Sequence, residues 1–289
     1  MKNPKYLQNK QIAISISESE EINQLGYSDR HQTDAMTEFA RHFLVQGAML
    51  VYGGDLRDKG YTELFADLAE QYYSDKNQKF VFKNYFFYPL NLNVTKAHEG
   101  DFKDKNVAVI RVEPEESLNI TEKEFVKPDT PANKYLWAKC ITKMREEMNI
   151  TIDARIVLGG RNTGFLGKCP GIVEEAKIAI LSKKPTYLIG AFGGATLSMI
   201  NAIVHRKNVI NPQSAFYQTN DFIAFQGFYN ATSQTDKIDF DEINAFFNQL
   251  NISDLNNGLT ETENKRLFTT PHIPEAIFWV LKGLKNTIK

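Results

Sequence analysis

The sequence has few of the features that mark secreted, membrane or metal-binding proteins. It contains only two cysteines, Cys140 and Cys169, too few for a disulfide framework or a cysteine-rich zinc site. No apolar run approaches the ~18 residues that a membrane span needs. The polar segment 1–10 also lacks the apolar core of a signal peptide. We therefore expect a cytoplasmic protein with no membrane partner.

The sequence also lacks a charge excess of either sign, because 34 Lys and Arg residues stand against 35 Asp and Glu residues. A dedicated nucleic-acid binder is typically basic, so we expect no nucleic-acid partner. The five histidines are not spaced as metal ligands, and no HExxH motif, P-loop or dinucleotide fingerprint is present. We therefore predict neither a metal site nor a bound cofactor.

The sequence does contain enough hydrophobic residues for a core, and its strand-like and helical segments alternate regularly. Hydrophobic residues make up 42% of the chain, which excludes general disorder. Strand-length apolar runs at 11–17, 48–52, 107–112, 154–158 and 185–189 alternate with helical patterns at 33–46, 61–73, 131–148, 172–181 and 195–204. This alternation predicts an α/β fold, a Rossmann-like three-layer α/β/α arrangement with a mostly parallel sheet.

No linker rich in proline, glycine or serine divides the chain. We therefore predict a single domain over residues 1–289. Residues 210–289 are less regular, with helical patterns at 239–250 and 274–284, and we expect a helical C-terminal extension packed on the same sheet. The aromatic stretches 85–88 and 216–228 are expected in the core, or alternatively in the interface of a homo-oligomer.

The distribution of glycine is the most informative feature, since eleven of the 17 glycines follow three of the predicted strands. The carboxyl ends of parallel strands share one edge of a sheet, and ligands bind at that edge. Glycine lets backbone N–H groups approach a ligand, and the following helix N-terminus favours an anion. These loops predict a phosphate or pyrophosphate site, although each could be an ordinary tight turn. The candidate ligand-binding residues in them are Gly53, Gly54, Gly159, Gly160, Gly164, Gly171, Gly190, Phe192, Gly193 and Gly194.

Charged residues within these loops agree with an anionic ligand. Arg57 and Arg161 each offer a planar fork that matches phosphate oxygens, and Asp55 would accept hydrogen bonds from ribose hydroxyls. The alternative for both arginines is a surface salt bridge. Further polar candidates close the first strand, namely Ser15, Ser17 and Glu18, which would bind phosphate or ribose or else cap the next turn.

Two adjacent carboxylates, Glu174 and Glu175, open the helix that follows the second glycine loop. Acidic residues suit the first turn of any helix, which is one explanation of the pair. The other is chemical, because a carboxylate beside a nucleotide binds ribose hydroxyls, stabilises an oxocarbenium-like centre or activates water. Neighbours on a helix diverge by ~100°, so only one of the two can face a ligand. We favour Glu175.

The segments 53–65, 154–176 and 184–196 together resemble SLOG-type Rossmann-like domains. That superfamily includes the LOG cytokinin-activating phosphoribohydrolases ("lysine decarboxylase-like") and the SLOG domains associated with TIR and sirtuin effectors in bacterial antiviral defence. The resemblance is closest to the defence-associated branch and covers nearly the whole chain. It implies a nucleotide-derived ligand, typically related to ADP-ribose or cyclic ADP-ribose.

The phosphoribohydrolase branch carries a Met-Arg pair on the helix before the strand, and a glycine loop with a catalytic Glu. The resemblance therefore implies that Arg145, which follows Met144, is catalytic together with Glu175 or Glu174 if the chain is an enzyme. The Gly-Thr pair of that loop is missing here, so hydrolysis is less expected than binding. Three hypotheses remain, namely a sensor or sequestering protein, an N-glycosidic hydrolase, and an interaction scaffold with a degenerate pocket. We also expect a homo-oligomer and association with a separate effector protein.

Overall fold

A computed structural model describes residues 5–57, 59–72 and 80–288 of the chain. In these ranges six strands form one sheet, and all neighbouring strands run parallel. The strands are β1 (Gln11–Ser17), β2 (Met49–Gly53), β3 (Phe82–Phe86), β4 (Val107–Arg111), β5 (Ala154–Gly159) and β6 (Thr186–Ile189). Their order across the sheet is β4-β3-β2-β1-β5-β6. The predicted fold class is confirmed.

β1 lies inside the sheet between β2 and β5, and its sequence explains why. Its alternate isoleucines, from Ile12 to Ile16, join the core on one face of the sheet, whereas Ala13 joins a core on the other. A strand that is apolar on both sides has to be covered on both sides. The face of Ala13 also carries Ser15 and Ser17, since side chains on one face recur every second residue. The register pairs Ala13 with Arg155 of β5.

Ten helices lie in the described residues. They are α1 (Asp29–Val45), α2 (Tyr61–Tyr72), α3 (Lys96–Asp104), α4 (Pro131–Thr151), α5 (Gly171–Leu181), α6 (Gly194–His205), α7 (Asn220–Thr232), α8 (Phe240–Gln249), α9 (Glu261–Thr269) and α10 (Ile273–Thr287). Apolar residues of α1, α2, α3, α9 and α10 build the core on the isoleucine face of β1. Those of α4, α5 and α6 cover the opposite face.

The part of the chain after residue 210 contributes to both layers. α7 packs against α4, and α8 packs against α6. α9 contacts β6, and α10 contacts α1 on the other face. Helices predicted at 239–250 and 274–284 correspond to α8 and α10. None of the helices in the described ranges combines the length and the apolarity that crossing a lipid bilayer requires.

Three helices were not predicted from the sequence, namely α3, α7 and α9. α3 buries a single residue, Phe102, so it shows no apolar periodicity. α7 overlaps the aromatic stretch 216–228, which was assigned to the core or an interface without a helix, and α9 has four charged residues among its nine. Each begins with a threonine whose hydroxyl accepts a backbone N–H, and these residues are Thr95, Thr219 and Thr260. The capping threonines were the available signal, because they stabilise a helix start without any apolar pattern.

Candidate functional site

The main candidate site is a cleft at the carboxyl end of β1, where the chain order of the sheet reverses. From β1 the chain adds β2, β3 and β4 on one side of the sheet, and it then crosses over to add β5 and β6 on the other side of β1. Ligands of doubly wound sheets bind at this topological switch point. The cleft has a volume of about 250 Å³, and we call it the central cleft. The predicted site residues that line it are Ser15, Ser17, Glu18, Gly53, Gly54, Arg57, Arg145, Arg161, Gly164, Gly171 and Glu175.

Glu175, in the second turn of α5, is the carboxylate that faces the central cleft. Its Oε2 accepts a hydrogen bond of 2.7 Å from Nη1 of Arg155 and another from the hydroxyl of Ser15. Its Oε1 lies 3.5 Å from Nε of Arg145. The side chain is 12% exposed. One oxygen of Glu175 is thus fixed by the protein, whereas the other has only this looser contact.

Arg155 is the buried anchor of this arrangement, and sequence analysis did not identify it. Its guanidinium is fully buried within the sheet and also donates to Ser15 Oγ at 2.8 Å. Burial lowers the pKa of Arg155, an effect that the charge of Glu175 partly offsets. Its Nε and Nη2 atoms make no hydrogen bond among the described residues. A charged residue in a strand that is otherwise apolar was the available signal, since such residues are seldom buried unpaired.

Glu174 points away from the central cleft and anchors Arg145 from behind. It forms an ion pair with Nη1 of Arg145 and accepts a hydrogen bond of 2.6 Å from Thr142 Oγ1. Its side chain is 4% exposed. Burial alone would lower the pKa of Arg145, but Glu174 and Glu175 outweigh it, and the pKa is raised. The two adjacent carboxylates therefore have different surroundings, with Glu175 at the central cleft and Glu174 behind it.

Gly171 permits the close approach of Arg145 to the start of α5. A Cβ atom at this position would lie 2.5 Å from Arg145 Nη2, well inside van der Waals contact. The glycine therefore leaves room for the guanidinium between the helix start and the cleft. Arg145 is 11% exposed there. This glycine provides space for a side chain, whereas the sequence interpretation assigned it to the approach of a ligand.

Two arginines stand at the open side of the central cleft, each about half exposed. Nη2 of Arg161 lies 2.9 Å from Oε2 of Glu18, and Nη1 of Arg57 lies 3.6 Å from the other oxygen, Oε1. Arg57 also donates through Nε to Asp55 at 2.6 Å. Burial would raise the pKa of Glu18, but its backbone hydrogen bond and both arginines outweigh that effect and lower the pKa. Arg57 and Arg161, the expected phosphate-binding residues, therefore bind carboxylates of the chain itself.

The segment of residues 18–21, which we call the acidic loop, also binds backbone N–H groups near the cleft through its carboxylates. Glu20 accepts a hydrogen bond of 2.9 Å from the backbone N–H of Thr163. Glu21 accepts one of 2.8 Å from the N–H of Gly194, at the start of α6. A helix N-terminus favours an anion, and here the anion is a side chain of the protein. Glu20 and Glu21 could not be identified from the sequence, since the course of this loop depends on contacts with distant segments.

Several predicted site residues do not line the central cleft. Gly159 and Gly160 have positive φ angles of 63° and 101° and pack against Gly194, whose added Cβ would meet the Gly160 oxygen at 2.3 Å. A Cβ at Gly190 would lie 2.3 Å from the carbonyl oxygen of Phe268. The remaining residues outside the lining are Asp55, Phe192, Gly193 and Glu174. Phe192 is buried in the core, and Asp55 bonds Arg57. The glycines after β6, which are Gly190, Gly193 and Gly194, pack closely against other segments of the chain.

Apolar side chains form much of the remaining wall of the central cleft. They are Tyr52, Phe87, Ile141, Met144, Phe165, Leu166 and Ile172. Phe87 belongs to the aromatic stretch 85–88, which sequence analysis assigned to the core or an interface. Most of these residues also belong to the core, so the sequence pattern does not distinguish a residue that only packs in the core from one that also lines the cleft. A wall of aromatic and aliphatic groups suits one face of a planar ring.

Neither cysteine is a candidate nucleophile. Burial raises the pKa of Cys169 to about 12 and that of Cys140 to about 11. A thiol becomes a nucleophile as its thiolate, so these groups are inert near neutral pH. Within the described residues, no group of three or more His, Cys, Asp or Glu side chains is arranged to hold a metal ion.

Comparison with models of known protein families identifies the superfamily of the chain. The family described as SLOG cluster2 matches residues 6–267, which is most of the chain. No significant match was found among curated proteins or among solved structures. The matched range contains the central cleft, the acidic loop and the whole sheet. The chain therefore belongs to the SLOG superfamily, a membership that suggests binding or processing of a nucleotide-related molecule.

Proposed function

We propose that this protein binds a phosphorylated, nucleotide-derived molecule of the ADP-ribose type in the central cleft. One observation carries the proposal. A single cleft combines two arginines at its open side, an apolar wall, and the inward-facing carboxylate of Glu175. Phosphate, base and ribose are the three chemical parts of a nucleotide, and each has a matching surface here.

The roles within the central cleft follow from the contacts. Arg57 and Arg161 would hold phosphate oxygens, since their guanidinium groups are accessible and lie within reach of one common carboxylate. Oε1 of Glu175 would accept ribose hydroxyls, because Oε2 is already bound by two donors. Asp55, assigned to ribose from the sequence, orients Arg57 instead. The aromatic wall would stack against the base.

Hydrolysis of an N-glycosidic bond is the second candidate function. It is favoured by one contact, the 3.5 Å between Arg145 Nε and Glu175 Oε1 beside the central cleft. A fixed carboxylate stabilises the positive charge that develops on the sugar, and an adjacent arginine orients a phosphate. The commitment of Glu175 Oε2 to Arg155 and Ser15 leaves Oε1 as the one oxygen available for such a role. Binding without turnover therefore remains the preferred function.

The two functions are separated by incubating the protein with AMP, NAD, ADP-ribose and cyclic ADP-ribose. Thermal stabilisation by a compound that is recovered unchanged by chromatography supports binding alone. Release of base or ribose that disappears in Glu175→Gln supports the hydrolase. Glu20→Gln is the matched control, since it also neutralises one carboxylate and Glu20 is bonded to Thr163. Absence of both stabilisation and turnover with all four compounds would contradict the proposal.

The resemblance to domains associated with TIR and sirtuin effectors supports a biological setting for this proposal. The protein would act in the cytoplasm as a sensor or sequestering protein in bacterial defence or stress. It would do so as a homo-oligomer and in association with a separate effector protein. Sedimentation of the purified protein with and without ADP-ribose tests the oligomer. A monomer under both conditions would contradict it.

A further inference from the structure

The carboxylate of Glu18 occupies the position between Arg57 and Arg161, the place where the proposed function puts a ligand phosphate. Its two oxygens are divided between the guanidinium groups, at 2.9 Å from Arg161 and 3.6 Å from Arg57. The second distance is too long for a hydrogen bond. Glu18 therefore bonds one arginine well and attracts the other only by charge. A group with more oxygen atoms would satisfy both.

The charges around the central cleft also indicate that a bound phosphate would take the place of Glu18. Four arginines are matched by four carboxylates, in the pairs Arg57–Asp55, Arg57–Glu18, Arg161–Glu18, Arg145–Glu174 and Arg155–Glu175. A ligand phosphate would add negative charge where each of the four arginines already has a carboxylate partner. Asp55, Glu174 and Glu175 are less exposed than Glu18, whose side chain is 33% exposed. Glu18 is the carboxylate that can leave most easily, because water is available to solvate it.

We propose that Glu18 is a specificity residue that a ligand phosphate must displace from Arg57 and Arg161. This deepens the proposed function and rests on it for the placement of phosphate at the two arginines. The tethered carboxylate competes with every ligand at a high effective concentration. Only an anion that bonds both guanidinium groups at once displaces it, as the terminal oxygens of a phosphate or diphosphate can. Nucleosides and free ribose, which carry no such group, leave Glu18 in place.

The acidic loop provides a matched control for this role. Glu20 lies two residues from Glu18 and carries the same charge, but it bonds to Thr163. The variants Glu18→Gln and Glu20→Gln therefore change the net charge of the loop equally, and only the first removes the carboxylate that the two arginines share. Glu18→Ala is a second variant that removes the carboxylate without leaving an amide to bond Arg161.

The test is calorimetric titration of each full-length variant with inorganic pyrophosphate, with thermal unfolding as the check of folding. Glu18→Gln and Glu18→Ala should bind pyrophosphate about 10-fold or more tightly than the unaltered chain, and Glu20→Gln within about twofold of it. Arg161→Ala added to Glu18→Gln should abolish the gain. Equal or weaker binding in both Glu18 variants, no binding by either of them, or the same gain in Glu20→Gln would overturn the proposal.

If the unaltered chain binds ADP-ribose and the Glu18 variants bind pyrophosphate no better than it does, the function stands and the role of Glu18 is wrong. If the variants gain pyrophosphate binding while the unaltered chain binds none of the four nucleotides, Glu18 blocks the arginines and the proposed function is wrong.

Discussion

Arg155 of β5 and Glu175 of α5 form an ion pair of 2.7 Å at the junction of the sheet and the central cleft. The arginine is fully buried, and the carboxylate is 12% exposed on the side that faces the cleft. The pair thus links the interior of the fold to the surface that a ligand would meet. It also means that the carboxylate at the candidate site is held by the core and not by a loop.

Removing the buried arginine should therefore destabilise the protein. We expect Arg155→Met to lower the free energy of unfolding by about 3 kcal/mol, because Glu175 would keep its charge without its closest positively charged partner. Adding Glu175→Gln should recover part of that loss, since it removes the uncompensated charge. Urea denaturation of the unaltered chain and of these two variants measures both effects. A double variant less stable than Arg155→Met would show that the pair is not the cause.

Two glycines with nearly the same φ angle should respond differently to alanine. Gly164 has a φ of +64° with no atom within 4 Å of an added Cβ, whereas at Gly194, with a φ of +65°, the Cβ would meet the Gly160 oxygen at 2.3 Å. Gly164→Ala should cost about 1 kcal/mol for the backbone conformation alone. Gly194→Ala should cost about 3 kcal/mol or more, since the backbone of the β5 loop has to move as well. Thermal or chemical unfolding distinguishes the two, and equal losses would contradict the close packing of these loops.

The stability contributed by Glu18 should depend on pH in a defined direction. Against the opposing effect of burial, a backbone hydrogen bond and its two arginine partners together hold its pKa below 4.5, the usual value. A depressed carboxyl pKa contributes stability above the unfolded value and loses it as the pH falls through the folded value. The difference in unfolding free energy between the unaltered chain and Glu18→Gln should be constant from pH 6 to 8 and shrink below about pH 4.5. Because the group is partly exposed, the difference should stay under about 1 kcal/mol. A difference that grows as the pH falls would contradict the pairing.

Both thiols should resist alkylation in the folded protein. Burial holds the pKa of Cys140 near 11 and that of Cys169 near 12, so almost no thiolate forms at pH 8. Mass spectrometry after treatment with iodoacetamide should show no modification until denaturant unfolds the chain. Rapid labelling of Cys169 under native conditions would contradict its burial.

Five of the six strands could be predicted because they are short apolar runs bounded by glycine or polar residues. β3 was not predicted, because Lys83 and Asn84 interrupt its aromatic run. Glu175 was also identified from its place after a glycine loop, and it lines the central cleft. What the sequence did not show depends on contacts between distant segments. Glu21 reaches Gly194 and Glu18 reaches Arg161 across more than 140 residues of chain. Local sequence patterns carry no information on such contacts. The Gly194 N–H and the Arg161 guanidinium, which were expected to bind a ligand, are therefore found bound to carboxylates of the chain.

The most direct test of the central claim is calorimetric titration of ADP-ribose into the unaltered chain, Arg57→Ala and Arg161→Ala. The proposal predicts binding by the unaltered chain and a loss of about 1.5–3 kcal/mol of binding free energy in each variant, the range for hydrogen bonds to charged groups. No binding by the unaltered chain, or unchanged affinity in both variants, would contradict the assignment of the central cleft to a phosphorylated nucleotide.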